Sequence, residues 1–410
     1  MSHPVTSPRL HGLDAIRAFA LLLGLVLHSA MSFLQGPYGI PLWIAQDIQA
    51  ADAYAPLFYV PHIFRMVLFF LIAGFFARLA YERRGAFGFA IDRVKRIALP
   101  LVSFWMPVFA AIVVVAIWGA IKANGGEAPE PQEQPPLTAE TFPLTHLWFL
   151  YLLCLFYPVA IVARLVWQLV ERAIPVGKAV DAIVNLLTAT PLGIVVLALP
   201  LTSAFMFQEG WMMWFGIPTP DTGLIPNTVA LTGYGAAFAF GWILHRQADL
   251  MQRFRAWWPV YLVIAAGLTA ACMNMIGMAP SFDTAAEDRS SWIYAFSYAA
   301  AGWAWSLGLI GLGLTLFARE SAPVRYVADA SYWIYIIHLP VVMALQVAFS
   351  DLALHGTVKL VLINAVTLAL TLITYHFIVR GCWLGGWLNG RRYKRPVKSA
   401  AKTAPVSANA

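Results

Sequence analysis

At 410 residues the chain is long enough for two or three soluble domains, yet 60% of it is apolar and only 11% is charged, against about 25% charged in soluble proteins. With 14% aromatic residues and a mean hydropathy of +0.70, it has too few polar side chains to clothe several aqueous surfaces, which excludes both an ordinary soluble enzyme and a wholly disordered chain. The net charge of +7 does not argue for nucleic acid, because in a membrane protein the placement of charge carries more meaning than its sum.

Crossing the hydrocarbon takes about 20 apolar residues, and ten segments qualify in chain order: 13–34, 56–80, 97–121, 146–167, 186–207, 227–244, 257–278, 292–317, 326–349 and 358–379. Pro191 and Pro200 interrupt the fifth, and the ninth has a second candidate start near Ala330. The first is too long for a signal-peptide core and is expected to be retained. Ten crossings place both termini on one side. If that side is the cytoplasm, it holds all of the 27 Lys and Arg except Arg65, Lys122, Arg289 and Lys359, while 12 of the 20 acidic residues fall outside. The expected fold is therefore an all-α polytopic membrane protein with about ten transmembrane helices and cytoplasmic termini. Residues 1–12 form a cytoplasmic N-terminal segment, 13–380 the membrane domain, and 381–410 a basic, partly disordered tail with Arg391, Arg392, Lys394, Arg395 and Lys398 facing anionic lipid. The loop 123–145, with Glu127, Glu130, Glu133 and Glu140 among five prolines, is expected to be extended and acidic with no core of its own. Cys154, Cys272 and Cys382 have neither metal-ligand spacing nor an even number, so no metal site is expected.

Ionisable groups inside the membrane are costly and usually face the interior of the bundle. In the first helix Asp14, Arg17 and His28 share one face, with His28 about 16 Å beyond Arg17. The second helix returns with His62 and Arg65 near the level of His28, so two imidazoles and a guanidinium can meet there. The basic loop 78–96 contains Arg93 and Arg96 at i, i+3, able to face one anion, and a phosphate-rich ligand fits them. His146 and Trp148 open the fourth helix at the outer interface, where an aromatic belt is the plain reading. In the ninth, Ser331, Tyr335 and His338 fall at i, i+4, i+7 on one face. Such residues suit either an enzyme or a transporter or flippase for a glycan or organic anion.

The run Leu13-Asp14-Ala15-Ile16-Arg17-Ala18 with His28, the run Arg93-Val94-Lys95-Arg96 followed by Pro100, and Ser331 to Pro340 (SYWIYIIHLP) resemble in order and spacing the integral-membrane acyltransferase family 3. HIFRMVLFFLIAGFF from His62, RVKRIALP from Arg93 and HLWFL from His146 are most similar to its glucans biosynthesis protein C branch. The resemblance implies O-acylation of a periplasmic glucan at the bacterial inner membrane. The donor it implies is cytoplasmic acyl-CoA, succinyl-CoA first and acetyl-CoA second, with no metal. Acyl-CoA, the glucan and membrane lipid are then the partners, nucleic acid is not, and the oligomeric state stays open. On this reading Arg93, Arg96 and Arg17 hold the CoA phosphates, Asp14 orients Arg17, and His28 is the general base. His338 is the second candidate base, with Tyr335 or Ser331 orienting a base or donating to the thioester oxygen. His62, Arg65, His146 and Trp148 are assigned to substrate, Arg65 taking the free carboxylate of a succinyl group.

Overall fold

The computed structural model describes residues 11–37, 42–128, 136–319 and 321–389. Glu130, Glu133, the basic residues beyond 389 and most of the 1–12 segment lie outside the described residues. Among the described residues the regular elements are helices, with α1 (His11–Ala30), α2 (Ala55–Arg93), α3 (Leu99–Ala123), α4 (Trp148–Val170), α5 (Val176–Ala189) and α6 (Gly193–Met206) in the first half of the chain. There follow α7 (Thr228–Leu244), α8 (Met251–Ile276), α9 (Arg289–Leu316), α10 (Ala322–Phe349), α11 (Gly356–Thr374) and α12 (Trp383–Asn389). Seven helical runs among the described residues are long and apolar enough to cross a membrane, eight if the bent α5–α6 pair counts as one span. Large apolar side chains such as Val102 and Val114 on α3, Val159 and Val166 on α4, and Val361 on α11 face outward, as a lipid-facing surface requires. The protein is thus a multi-pass membrane protein.

Several boundaries depart from the expected ones. The fifth span is not one helix over 186–207 but two 14-residue helices bent by 105°. Pro191 disfavours helical backbone in the residue before it, and Thr190 is accordingly extended (φ −139°, ψ 164°). The basic segment 78–96 is not a loop. α2 continues through it past a single non-helical residue, Gly85 (φ 67°), and joins α3 by a π-helical turn, Val94–Ala98. α10 starts at Ala322, ahead of both expected starts, with Pro at the first turn where its missing N–H costs nothing. The second part of the acidic loop packs: Leu144 is buried and Phe142 stacks on Trp105 at 4.7 Å. Within the expected tail, α12 buries Leu384 and Leu388, and Trp387 donates to the Lys95 carbonyl at 2.7 Å.

Helix contacts that set the bundle are made by small residues. A Cβ on Gly74 of α2 would lie 2.0 Å from the Phe238 carbonyl oxygen of α7, and one on Gly241 of α7 would lie 1.9 Å from that of Leu71. Glycine at both positions lets the two backbones touch, the usual source of affinity between helices where lipid removes the hydrophobic drive. Of the four cations that the charge count sets apart, two are paired: Lys122 with Asp351 at 3.1 Å, and fully buried Lys359 with Asp47 at 2.5 Å.

Candidate active site

A cavity of about 1330 Å³ runs along one face of α1 and the short turn after it, which contribute Asp14, Arg17, Leu21, Gly24, His28, Met31 and Leu34 to its wall. These positions recur every three or four residues, and the 20 residue steps from Asp14 to Leu34 span about 30 Å, the thickness of the hydrocarbon. At one end the wall is built by Arg17, Arg93, Arg96 and Asp329, and at the other by the loop residues Gln208, Thr219 and Asp221. All twelve residues singled out in the sequence line this cavity, in two groups.

The first group is cationic. Arg17 pairs with Asp14 at 3.3 Å on the same helix face. Arg93 and Arg96, the latter at 3.0 Å, converge on an anion from their own chain, the buried carboxylate of Asp92, which also takes Arg84 at 2.5 Å. Three guanidiniums around one carboxylate leave an excess of positive charge, and Arg93 also lies over the Tyr157 ring at 5.4 Å. This end can hold a second anion.

The second group lies at the last turn of α1, about two-thirds of the way along the stripe from Asp14 to Leu34. The His338 ring is 5.4 Å from that of His28 and 5.2 Å from that of His146. A carbonyl oxygen can only accept, so its partners fix the tautomers. His338 donates through Nδ1 to the carbonyls of Tyr335 (2.8 Å) and Ile334 (3.1 Å), leaving Nε2 as a lone pair. His146 donates through Nε2 to the carbonyls of Tyr335 and Ile336, both at 3.1 Å. The Nδ1 atoms of His28 and His146 are buried without a partner. His28 is therefore the one of the three whose ring no backbone carbonyl locks, while its own carbonyl accepts from Gln346 at 2.8 Å.

Tyr335 spends its hydroxyl on the His146 carbonyl (2.6 Å), and Ser331 spends its own on Ala328 within α10 (2.8 Å). Both hydroxyls thus donate to backbone carbonyls. Ser331 also lies about 10 Å from His338 along α10, toward the arginine end. Trp148 does not stand in an outer aromatic belt: it is buried and stacked on Tyr234 at 5.5 Å. His62 lines the cavity against Phe58. Arg65 is neither snorkelling nor ion-paired among the described residues. It reaches across to α1, where a Cβ on Gly24 would sit 2.1 Å from its Nη1, and its Nε is buried without an acceptor. Gly24 precedes His28 by four residues, so the guanidinium lies one turn from that imidazole.

Two residues that support the site from behind its wall escape the sequence pattern. Gln346, buried in α10, donates to the carbonyls of His28 and Ser29 and accepts from the Trp43 indole at 2.8 Å, tying the α1–α2 connection to the histidine's helix. The available signal was an amide in an otherwise apolar stretch after His338. Asp92 is one acid within a basic segment, and only the fold shows it buried against three arginines.

Residues 10–376 match the acyltransferase 3 family, described as an acyltransferase domain. The chain belongs to this family. Acyl transfer is therefore the general chemistry of this membrane acyltransferase, with the histidine cluster as its candidate centre. No curated protein and no solved structure matches the chain.

Proposed function

We propose that this acyltransferase takes a succinyl group from acyl-CoA on the cytoplasmic side of the bacterial inner membrane and transfers it to a hydroxyl of a periplasmic glucan, as the glucans biosynthesis protein C branch does. The observation that carries this reading is the placement of His28, His146 and His338 within a cavity as long as the membrane is thick, whose one end is arginine-rich. Arg93, Arg96 and Arg17 hold the CoA phosphates, and the pantetheine arm brings the thioester to the histidines. A sugar hydroxyl is a weak nucleophile. His28 accepts its proton as oxygen attacks the thioester carbon; the C–O bond forms, the C–S bond breaks, and the proton leaves on the sulfur as free CoA. Direct transfer and an acyl-histidine intermediate both balance. The topology of this reading is ten crossings with cytoplasmic termini. It is supported by the helical runs 52–123 and 228–276, whose 72 and 49 residues exceed what one crossing of about 30 Å needs and which break at Gly85 and Gln247.

The deciding test is in sealed vesicles with succinyl-CoA on the arginine side and glucan on the other. Release of free CoA that depends on both substrates, with acylated glucan detected by mass spectrometry, is expected. Solute accumulation without CoA release would favour a transporter or flippase, and equal turnover with donor on the acceptor side would reject transfer across the membrane.

Arg65 bears on the acyl group. With no carboxylate beside it among the described residues, its charge is available to a free carboxylate of the donor. Arg65→Gln is expected to lower succinyl transfer about 10- to 100-fold relative to acetyl transfer, the worth of one charge-assisted hydrogen bond. Equal loss with both donors would remove Arg65 from acyl selection.

A further inference from the structure

Pro340 sits inside α10, two residues after His338 and far from either end of the helix. Proline has no backbone N–H, so the carbonyl four residues earlier, that of Ile336, loses its helical donor. A buried carbonyl left so must find another partner. Here it finds His146, whose Nε2 lies 3.1 Å from the Ile336 oxygen and 3.1 Å from that of Tyr335. The contact is returned, because the Tyr335 hydroxyl donates to the His146 carbonyl at 2.6 Å. The short turn Thr145–Leu147 is thereby clamped to α10 from both directions, and Thr145 is held at φ 54°, a conformation that a β-branched residue avoids.

We infer that Pro340 is a positioning residue for His146. By freeing the Ile336 carbonyl it fixes the His146 ring as the Nε2–H tautomer and leaves Nδ1 as a buried acceptor 5.2 Å, ring centre to ring centre, from His338. The one helix thus locks two imidazoles in opposite tautomers, His338 through Nδ1–H and His146 through Nε2–H. Each then presents one lone pair, and no proton, to the centre where the acceptor hydroxyl must lose its own. A substituent with an N–H at position 340 would reclaim the Ile336 carbonyl for the helix and leave the ring only the Tyr335 carbonyl, which His338 already shares. This inference rests on the histidine cluster being the reacting centre, and it is tested so that the two fail separately.

The test is a double-mutant cycle in the full-length protein, with His28→Ala as the control for the centre itself. Pro340→Ala is expected to lower kcat about 10- to 100-fold, the cost of a misplaced group, with the donor KM little changed. In a His146→Ala background the same substitution is expected to do nothing further. Histidine 15N spectra supply a readout that general helix straightening does not move: His146 is Nε2-protonated in the parent and a tautomer mixture in Pro340→Ala. An equal loss in both backgrounds, or an unchanged His146 signal, overturns the inference. If Pro340→Ala does not accumulate, His146→Asn, which keeps a donor for the carbonyls, is expected to outperform His146→Leu, and equal activities would overturn it. Full activity in His28→Ala would instead overturn the assignment of the centre.

Discussion

His28→Ala is expected to abolish acyl transfer, a loss of about 10²- to 10⁴-fold if only general-base catalysis is removed, while acyl-CoA still binds at the arginine end. The substitution isolates the imidazole, because the contacts that hold this part of α1 are made by backbone: Gln346 donates to the carbonyls of residues 28 and 29 and loses nothing when the side chain goes. Of the three rings, His28 is also the one not held by a carbonyl, so it can change protonation during turnover without breaking a structural hydrogen bond. Single-turnover transfer measured beside equilibrium binding of the donor checks it. Full activity in the variant would overturn the assignment of the reacting centre to the histidine cluster.

Lys359→Met is expected to destabilise the protein by about 3 to 5 kcal/mol, the usual result of leaving one charge of a buried pair alone. Lys359 is 0% exposed, and its ammonium group donates to Asp47 at 2.5 Å and to the Leu352 carbonyl at 3.1 Å. Asp47 in turn holds the connection between α1 and α2, where its N–H donates to Ser32 and its carboxylate takes the Gln49 N–H. That connection supplies Trp43 to the cavity wall, so stability and the shape of the site are linked. Thermal unfolding in detergent reads the loss, and the double variant Lys359→Met, Asp47→Leu is expected to recover part of it. A single variant as stable as the parent would show that the pair holds nothing.

Much of the site was legible as spacing. Asp14, Arg17 and His28 share a helix face because 3 and 11 residues are near-integral turns, and that stripe is the one lining the cavity. The i, i+4, i+7 pattern of Ser331, Tyr335 and His338 likewise marked the inner face of α10, although Ser331 and Tyr335 turn out to serve backbone carbonyls. Trp148 was misplaced because interfacial enrichment is an average, and its burial against Tyr234 on α7 is a contact between segments far apart in the chain. The same holds for Arg65, whose neighbour Gly24 is simply an apolar gap when α1 is read alone.

Hydrophobic length and helical periodicity are local, and 60% apolar content with few, clustered charges is enough to specify a helical membrane protein and the polar stripe of α1. The partner of each buried polar group is not local. Whether Arg93 and Arg96 meet only a ligand or also Asp92, whether α5 and α6 cross as one helix or bend at Pro191, and whether the carbonyl freed by Pro340 goes to water or to His146 follow from which helices pack together. In lipid that packing turns on close backbone contact at residues such as Gly74 and Gly241, and a composition reveals nothing of which two glycines will face each other.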